Sequence, residues 1–505
     1  MANERKVGVI TAYAKMFLSI FVSLLYVPIL LRFLTVNEFG LYQMIGSFMA
    51  YLAVFDFGLT RTLTRYYSQT LAYGSSKERE NILALSFCIY AVIAVFIIAV
   101  GMMLYINIDS IFKEKLTAGE LVEAKQMLIV VIVNVAIITP THVFRAVMSS
   151  HERFLFVNTV AIVQVLLQPV AILAVLFFKN SALYILLVQT IVNVSVAIIN
   201  AWYCFHKLHV RVKFHEWKGD LILEMLRYSF WVFLAVATDM FYWRSGQLVV
   251  GGVIGTAAAA VFSIVAQLCL YTVSFTAEIG AVFVPKLSVL SGGKGNNASI
   301  NQVYLSISRI QFFVVNFIFI GFIVLGKEFI RIWAGPDFSE AYLLTVIILL
   351  SLVLPMSQNI AIYALQAMNK HMIRSIITVI SSLATVLLSI PICREYGLMG
   401  CGLTIALGLF IGNGIIATCY YYRVGFDVKK YLYQIFMILP ALLLVLFLTY
   451  TINYFIPVAS GYLLLFVKAF FFSVIFFVSV WFLACNDYEK QLVGFLVNKL
   501  RNRVK

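Results

Sequence analysis

Residues Glu38–Tyr66 read EFGLYQMIGSFMAYLAVFDFGLTRTLTRY. This is about one bilayer-crossing of apolar sequence, broken toward its far end by Asp56 and then by Arg61 and Arg65. A carboxylate in hydrocarbon costs at least ~2.5–3.5 kcal/mol, so Asp56 has to face protein or water. The rest of the chain supplies a second stretch built in the same way.

Composition decides the class. Of 505 residues, 63% are hydrophobic and 12% charged, against roughly 45–50% and about 25% in soluble domains. Apolar runs of about twenty residues recur along nearly the whole length, which reads as an all-α polytopic membrane protein because spanning segments satisfy their backbone internally. The alternation of an outer-membrane barrel is absent. The net charge of +15 reads as membrane topology and not as nucleic-acid binding. The seven cysteines form no CxxC pair, so neither a metal site nor a disulfide framework is indicated. The N-terminal run lacks a small-residue cleavage site and reads as an uncleaved first span.

Fourteen spans are expected, near 7–34, 39–66, 81–106, 126–148, 154–178, 181–205, 222–250, 257–285, 304–326, 341–368, 372–392, 398–422, 431–456 and 461–485. With the N-terminus inside, inner loops and termini hold 26 Lys and Arg and outer loops 8. Both termini are therefore expected in the cytoplasm. The tail 486–505, with Leu492, Phe495, Leu496 and Leu500 among basic residues, suggests an amphipathic helix on the anionic inner leaflet.

Sliding the chain against itself by 220 residues sets LTVNEFGLY (Leu34–Tyr42) on IGTAAAAVF (Ile254–Phe262) and Asn193 on Asn413. It also sets Asp56 on Thr276, two positions before Glu278. Six spans separate the copies, so their orientation is the same and a parallel repeat is expected. The expected organisation is a six-helix lobe over 1–205, a basic linker over 206–221, a second lobe over 222–425, spans 13 and 14 over 426–485, and the tail. The linker's histidines (His206, His209, His215) are not spaced for a metal and lie in a cationic loop.

Intramembrane charge concentrates in spans 1, 2, 7 and 8: Lys15, Asp56, Asp239, Arg244 and Glu278. Such residues mark functional pathways or pair with one another. Lys15 with Asp239, or Arg61 with Asp56, are the neutralising pairs to expect if the role is structural. Arg61, Arg65 and Arg145 serve equally as cavity lining or as topology signals, and Lys468, near the outer end of span 14, reads as snorkelling.

EFGLYQM, FDFGLTRTLTRYYS, GTAAAAVFSI, FIRIWAGPDFSEAYLL, the QAMNK turn and YGLMGCGLTIAL together resemble the bacterial polysaccharide (O-antigen-type) flippases of the multidrug/oligosaccharidyl-lipid/polysaccharide exporter superfamily. The resemblance covers the whole chain in order. It implies an inner-membrane, non-enzymatic protein that moves an undecaprenyl-pyrophosphate-linked glycan between leaflets by alternating access. A polysaccharide polymerase and a chain-length regulator are the partners implied, with membrane lipids around the chain and no nucleic acid. On that reading Lys15, Arg244, Arg61, Arg65 and Arg145 are candidates for the pyrophosphate. Asp56, Asp239 and Glu278 are candidates for coupling to H+ or Na+, and no other cofactor is implied. The competing expectations are a drug or metabolite antiporter of the same superfamily and a flippase for the peptidoglycan lipid precursor. A membrane polymerase or glycosyltransferase would need a large outer loop or a cytosolic domain.

Overall fold

The computed structural model describes the backbone of residues 2–112, 115–291, 297–459, 461–487 and 489–491. The described elements are all helical. Eight of the expected spans are single helices: Ala2–Phe33, Ser76–Phe112, Ala118–Ser150, Phe154–Leu176, Ala182–His206, Asn297–Trp333, Val428–Phe455 and Tyr462–Leu483 (spans 1, 3, 4, 5, 6, 9, 13 and 14). Four are broken in two: Val36–Val54 with Leu59–Tyr73 (span 2), Gly219–Trp243 with Ser245–Val253 (span 7), Thr256–Ala281 with Val284–Ser291 (span 8) and Ala341–Ser357 with Asn359–Ala367 (span 10). Spans 11 and 12 follow one another from Met372 through Val424, reversing at Gly397, whose φ of +62° and ψ of −149° end one helix and start the next. Among the described residues, eleven segments qualify as crossings on length and apolarity alone. The broken, charged span 2 is not one of them, part of span 7 lies outside the described residues, and spans 11 and 12 run together.

Local chemistry sets the helix starts. Thr35 and Glu38 form a reciprocal capping box at the start of span 2, and Thr117 with Glu120 form another at span 4, each satisfying orphan backbone donors. Glu120 also accepts from Thr256 Oγ1 at 2.8 Å, joining the starts of spans 4 and 8. Gly40 is needed where span 2 meets span 8, since a Cβ there would sit 1.8 Å from the Thr256 carbonyl oxygen and 3.2 Å from Ala260 N. The 220-residue offset equates Gly40 with Ala260, so equated positions touch.

The loop contacts obey the alternation expected of fourteen crossings. Asn81, after span 2, binds the backbone of His215 and Glu216 in the 6–7 linker. Asn301, after span 8, binds Gly425 O and Asp427 N in the 12–13 loop. On the other parity, the 3–4, 7–8 and 11–12 loops line one cavity through Ser110, Lys115, Gly252–Ile254, Arg394 and Gly397.

By packing, the chain divides into two compact units, Met1–Ser263 with Ser382–Cys401, and Ile264–Ser381 with Gly402–Lys505. Span 7 and the start of span 8 thus pack with the first unit, whereas the sequence repeat draws its line at the 206–221 linker. The first unit buries Leu41, Met44, Leu63, Tyr90, Met127 and Leu128 in one core. The second has one core around Tyr304, Ile360, Tyr421 and Tyr431 and another around Phe312, Leu442, Phe472 and Phe476. Large apolar side chains such as Leu463, Phe466 and Phe482 point outward, as a lipid-facing surface requires.

Lys468 does not snorkel. Its side chain is 2% exposed and its ammonium lies 2.8 Å from Glu328 Oε1. Glu328 also accepts from Ala459 N, and Arg331 donates to Ala459 O at 2.7 Å. A buried carboxylate within reach overrides the pull of the interface. At the other end of the second unit, Arg309 binds both oxygens of Glu489, at 2.7 and 3.1 Å, and the carbonyl of Ala484. The start of the tail is therefore fixed to span 9, while the apolar residues expected on its amphipathic face, Leu492 to Leu500, lie outside the described residues.

Candidate functional site

The break in span 2 is the sequence Phe55–Asp56–Phe57–Gly58. Phe57 (φ +50°) and Gly58 (φ +67°) are consecutive left-handed residues, which stops the helix and turns successive side chains to different neighbours. Phe55 packs edge-on to Phe96 of span 3, ring centroids 5.1 Å apart, and Phe57 packs on Phe233 of span 7 at 4.8 Å. Between them Asp56 points inward. Its Oδ1 accepts from the Tyr90 hydroxyl at 2.9 Å and lies 3.1 Å from His142 Nδ1, while Thr60 Oγ1 stands 3.4 Å from both carboxylate oxygens. Asp56 is 17% exposed and His142 34%. A carboxylate, an imidazole and a phenol from spans 2, 3 and 4 thus meet in one partly hydrated cluster, a set able to take up and pass a proton.

Span 2 runs antiparallel to span 7 along its length. Tyr66 donates to Glu224 at 2.7 Å, Arg65 stacks over the Tyr228 ring at 4.8 Å, and Thr62 and Ser229 hydroxyls are 2.6 Å apart. Further along, Tyr51 donates to Met240 O and Ser47 to Gln247 Oε1. This register sets Arg244, the residue at the break in span 7, beside Tyr42 and Tyr51. It stands about 13 Å along the helix axis from Asp56 at 1.5 Å per residue. Arg244 is half-buried, and no described carboxylate lies within ion-pair distance of it. Nearby, the hydroxyl of Tyr26 in span 1, close to Tyr42, is buried and has no hydrogen-bond partner among the described residues. A desolvated guanidinium among phenols, with a spare buried hydroxyl, is suited to an anionic or polyhydroxyl ligand.

The other candidates divide clearly. Lys15 is half-buried with no described carboxylate in reach. Arg61, Arg65 and Arg145 are exposed, and Arg61 does not pair with Asp56; His142 takes that place. The helix of span 7 includes Asp239, but its side chain lies outside the described residues, so the Lys15–Asp239 pairing does too. All of these belong to the first unit.

Glu278 alone belongs to the second unit. Its carboxylate is half-buried without a described hydrogen bond, near Tyr363. At the position the repeat equates with Asp56, Thr276 O accepts from Gln311 Nε2 at 3.0 Å, and Gln311 Oε1 accepts from Ile360 N at 3.1 Å. Spans 8, 9 and 10 are thus joined by a neutral amide where spans 2, 3 and 4 are joined by titratable groups. Sequence reasoning missed His142 and Tyr90. The signal for the first was a histidine two residues after Pro140 inside an apolar run.

The architecture is the multi-helix fold of solved proteins of the multidrug/oligosaccharidyl-lipid/polysaccharide exporter superfamily. A structure described as the lipid II flippase MurJ in an inward closed conformation is similar, with a TM-score of 0.71 and 17% identity, over 96% of this chain and 99% of that one. An inward-facing multidrug resistance MATE family transporter is similar at 0.67 and 14%, over 84% and 99%. A superfamily transporter from Pyrococcus furiosus, whose binding pocket is described as reversed in polarity, is similar at 0.52 and 16%, over 84% and 96%. No curated protein matches in sequence. Residues 7–291 match the family model described as polysaccharide biosynthesis protein, more than half of the chain, and the protein belongs to that family.

Proposed function

We propose that this chain moves an undecaprenyl-pyrophosphate-linked oligosaccharide, a repeat unit of O-antigen, capsule or exopolysaccharide, from the cytoplasmic to the outer leaflet of a bacterial inner membrane. Movement is by alternating access, with both termini in the cytoplasm. The observation that carries this reading is Arg244: a half-buried cation with phenols around it and no described counter-ion. A pyrophosphate supplies the missing charge, and bidentate guanidinium contacts fit its oxygens. Lys15 is the second cation of the same unit, and the tyrosine hydroxyls serve the sugars.

Coupling runs through Asp56. Protonation, or Na+ at its carboxylate, would weaken the bonds to Tyr90 and His142 that hold the break in span 2 to spans 3 and 4. The polymerase and the chain-length regulator act beside the chain on the released product.

A drug or metabolite antiporter is the second reading. Against it stands the extent of the likeness to the lipid II flippase, 96% of this chain against 84% for the multidrug transporter, which leaves room for spans 13 and 14. The test is complementation in a strain lacking the gene. Wild-type protein is expected to restore surface glycan and clear lipid-linked sugar from the inner leaflet, and Arg244→Ala to do neither at equal abundance. Normal surface glycan in the deletion strain, with altered drug sensitivity, overturns the proposal in favour of the antiporter.

A further inference from the structure

We propose that Cys393 and Cys401 are a redox-active pair that forms an intramolecular disulfide on the outer face of the protein. They flank the reversal between spans 11 and 12, ICREYGLMGCG over 392–402, and both are buried, at 1% and 0% exposure. The two arms of the reversal press together beside them. A Cβ on Gly400 would lie 2.7 Å from the Ile392 carbonyl oxygen and 2.7 Å from Tyr396 Cβ. Gly400 and Ile392 are the residues next to Cys401 and Cys393 in the chain, so backbone spacing there suits a disulfide, which needs Cα atoms about 4.4–6.8 Å apart. The two thiols are close enough to interact with one another across the reversal. Gly397, with its positive φ, allows the tight reversal that brings them together. Among the other cysteines, Cys204 and Cys269 are buried singly, and Cys88 and Cys419 are exposed.

The 11–12 reversal shares a cavity of about 740 Å³ with the 3–4 and 7–8 loops, and the charge distribution assigns all three to the outer side. That compartment favours disulfides. Closing the bond joins the two Sγ atoms, releases both thiol protons to water and passes two electrons to the disulfide of an extracytoplasmic thiol oxidoreductase, which becomes a dithiol. The bond then staples the turn that carries Arg394 beside Lys115 at the mouth of this cavity. The inference rests on the orientation, not on the identity of the cargo.

The test begins with full-length protein in intact cells, quenched with N-ethylmaleimide, digested and read by mass spectrometry. A peptide pair joining Cys393 to Cys401, lighter by two hydrogens and absent after reduction, is expected; alkylation of both thiols without reduction overturns the proposal. A Tyr396→Cys variant in a background free of other cysteines reports the side with a membrane-impermeant maleimide. Labelling from outside is expected, and labelling only after lysis overturns the orientation and the disulfide together. In purified protein, reductant is expected to lower the wild-type melting temperature and leave the Cys393→Ser/Cys401→Ser variant unmoved. Failure here with intact glycan transport leaves the flippase proposal standing, whereas full transport in the Arg244→Ala variant counts against that proposal and does not touch the disulfide.

Discussion

Oδ1 of Asp56 sits 3.1 Å from Nδ1 of His142, tying the break in span 2 to the middle of span 4. The same oxygen accepts from Tyr90 of span 3, so one carboxylate holds three helices. Its counterpart in the second unit is the uncharged Gln311 bridge. Asp56→Asn keeps the shape and removes the titration. It should abolish the dependence of transport on pH or Na+ in proteoliposomes, and Glu278→Gln should leave that dependence in place. An unchanged profile in Asp56→Asn would move coupling elsewhere.

Arg244 and Arg61 separate cargo binding from topology. The first is half-buried with no carboxylate in reach among the described residues, the second exposed. A charge-assisted hydrogen bond is worth about 1.5–3 kcal/mol, so Arg244→Ala should cut transport about tenfold or more at equal expression. Arg61→Ala should change it by less than about twofold, since a solvated surface charge contributes little. Equal losses in the two variants would remove the basis for singling out Arg244.

Gly40 and Gly46 are about one and two-thirds turns apart in span 2 and have opposite surroundings. A Cβ on Gly40 collides with the Thr256 carbonyl, whereas one on Gly46 meets nothing within 4 Å. Gly40→Ala should lower stability by about 1–3 kcal/mol through overpacking. Gly46→Ala should be neutral or stabilising by up to about 1 kcal/mol from helix propensity. Thermal unfolding in detergent distinguishes them.

The Arg309–Glu489 pair is 9% and 6% exposed. Removing one partner strands a buried charge, so Arg309→Met should cost about 3–5 kcal/mol, and the double variant Arg309→Met/Glu489→Leu much less. Melting curves of wild type, single and double variants test this. A double variant as unstable as the single one would mean that packing, not charge, dominates there.

The fold was largely legible. The apolar runs, their lengths and the placing of basic residues follow from the exclusion of unsatisfied backbone and charge from hydrocarbon, which acts on each segment separately. That local constraint is why fourteen spans could be read from the apolar runs; the helix break at Asp56 could not, since 39–66 reads as one continuous span and the structure divides it into Val36–Val54 and Leu59–Tyr73. The same signal marked Arg244 and Asp56 as residues needing a reason.

What no local pattern could supply was partnership. The sequence left Asp56 open to Arg61, five residues away; only the antiparallel packing of spans 2 and 7 and the approach of spans 3 and 4 chose Tyr90 and His142, 34 and 86 positions distant. Lys468 looked like a snorkelling residue until folding brought Glu328 to it across 140 residues. Partition between water and hydrocarbon is a property of one helix, whereas the burial of a charge depends on which side chain another helix brings beside it.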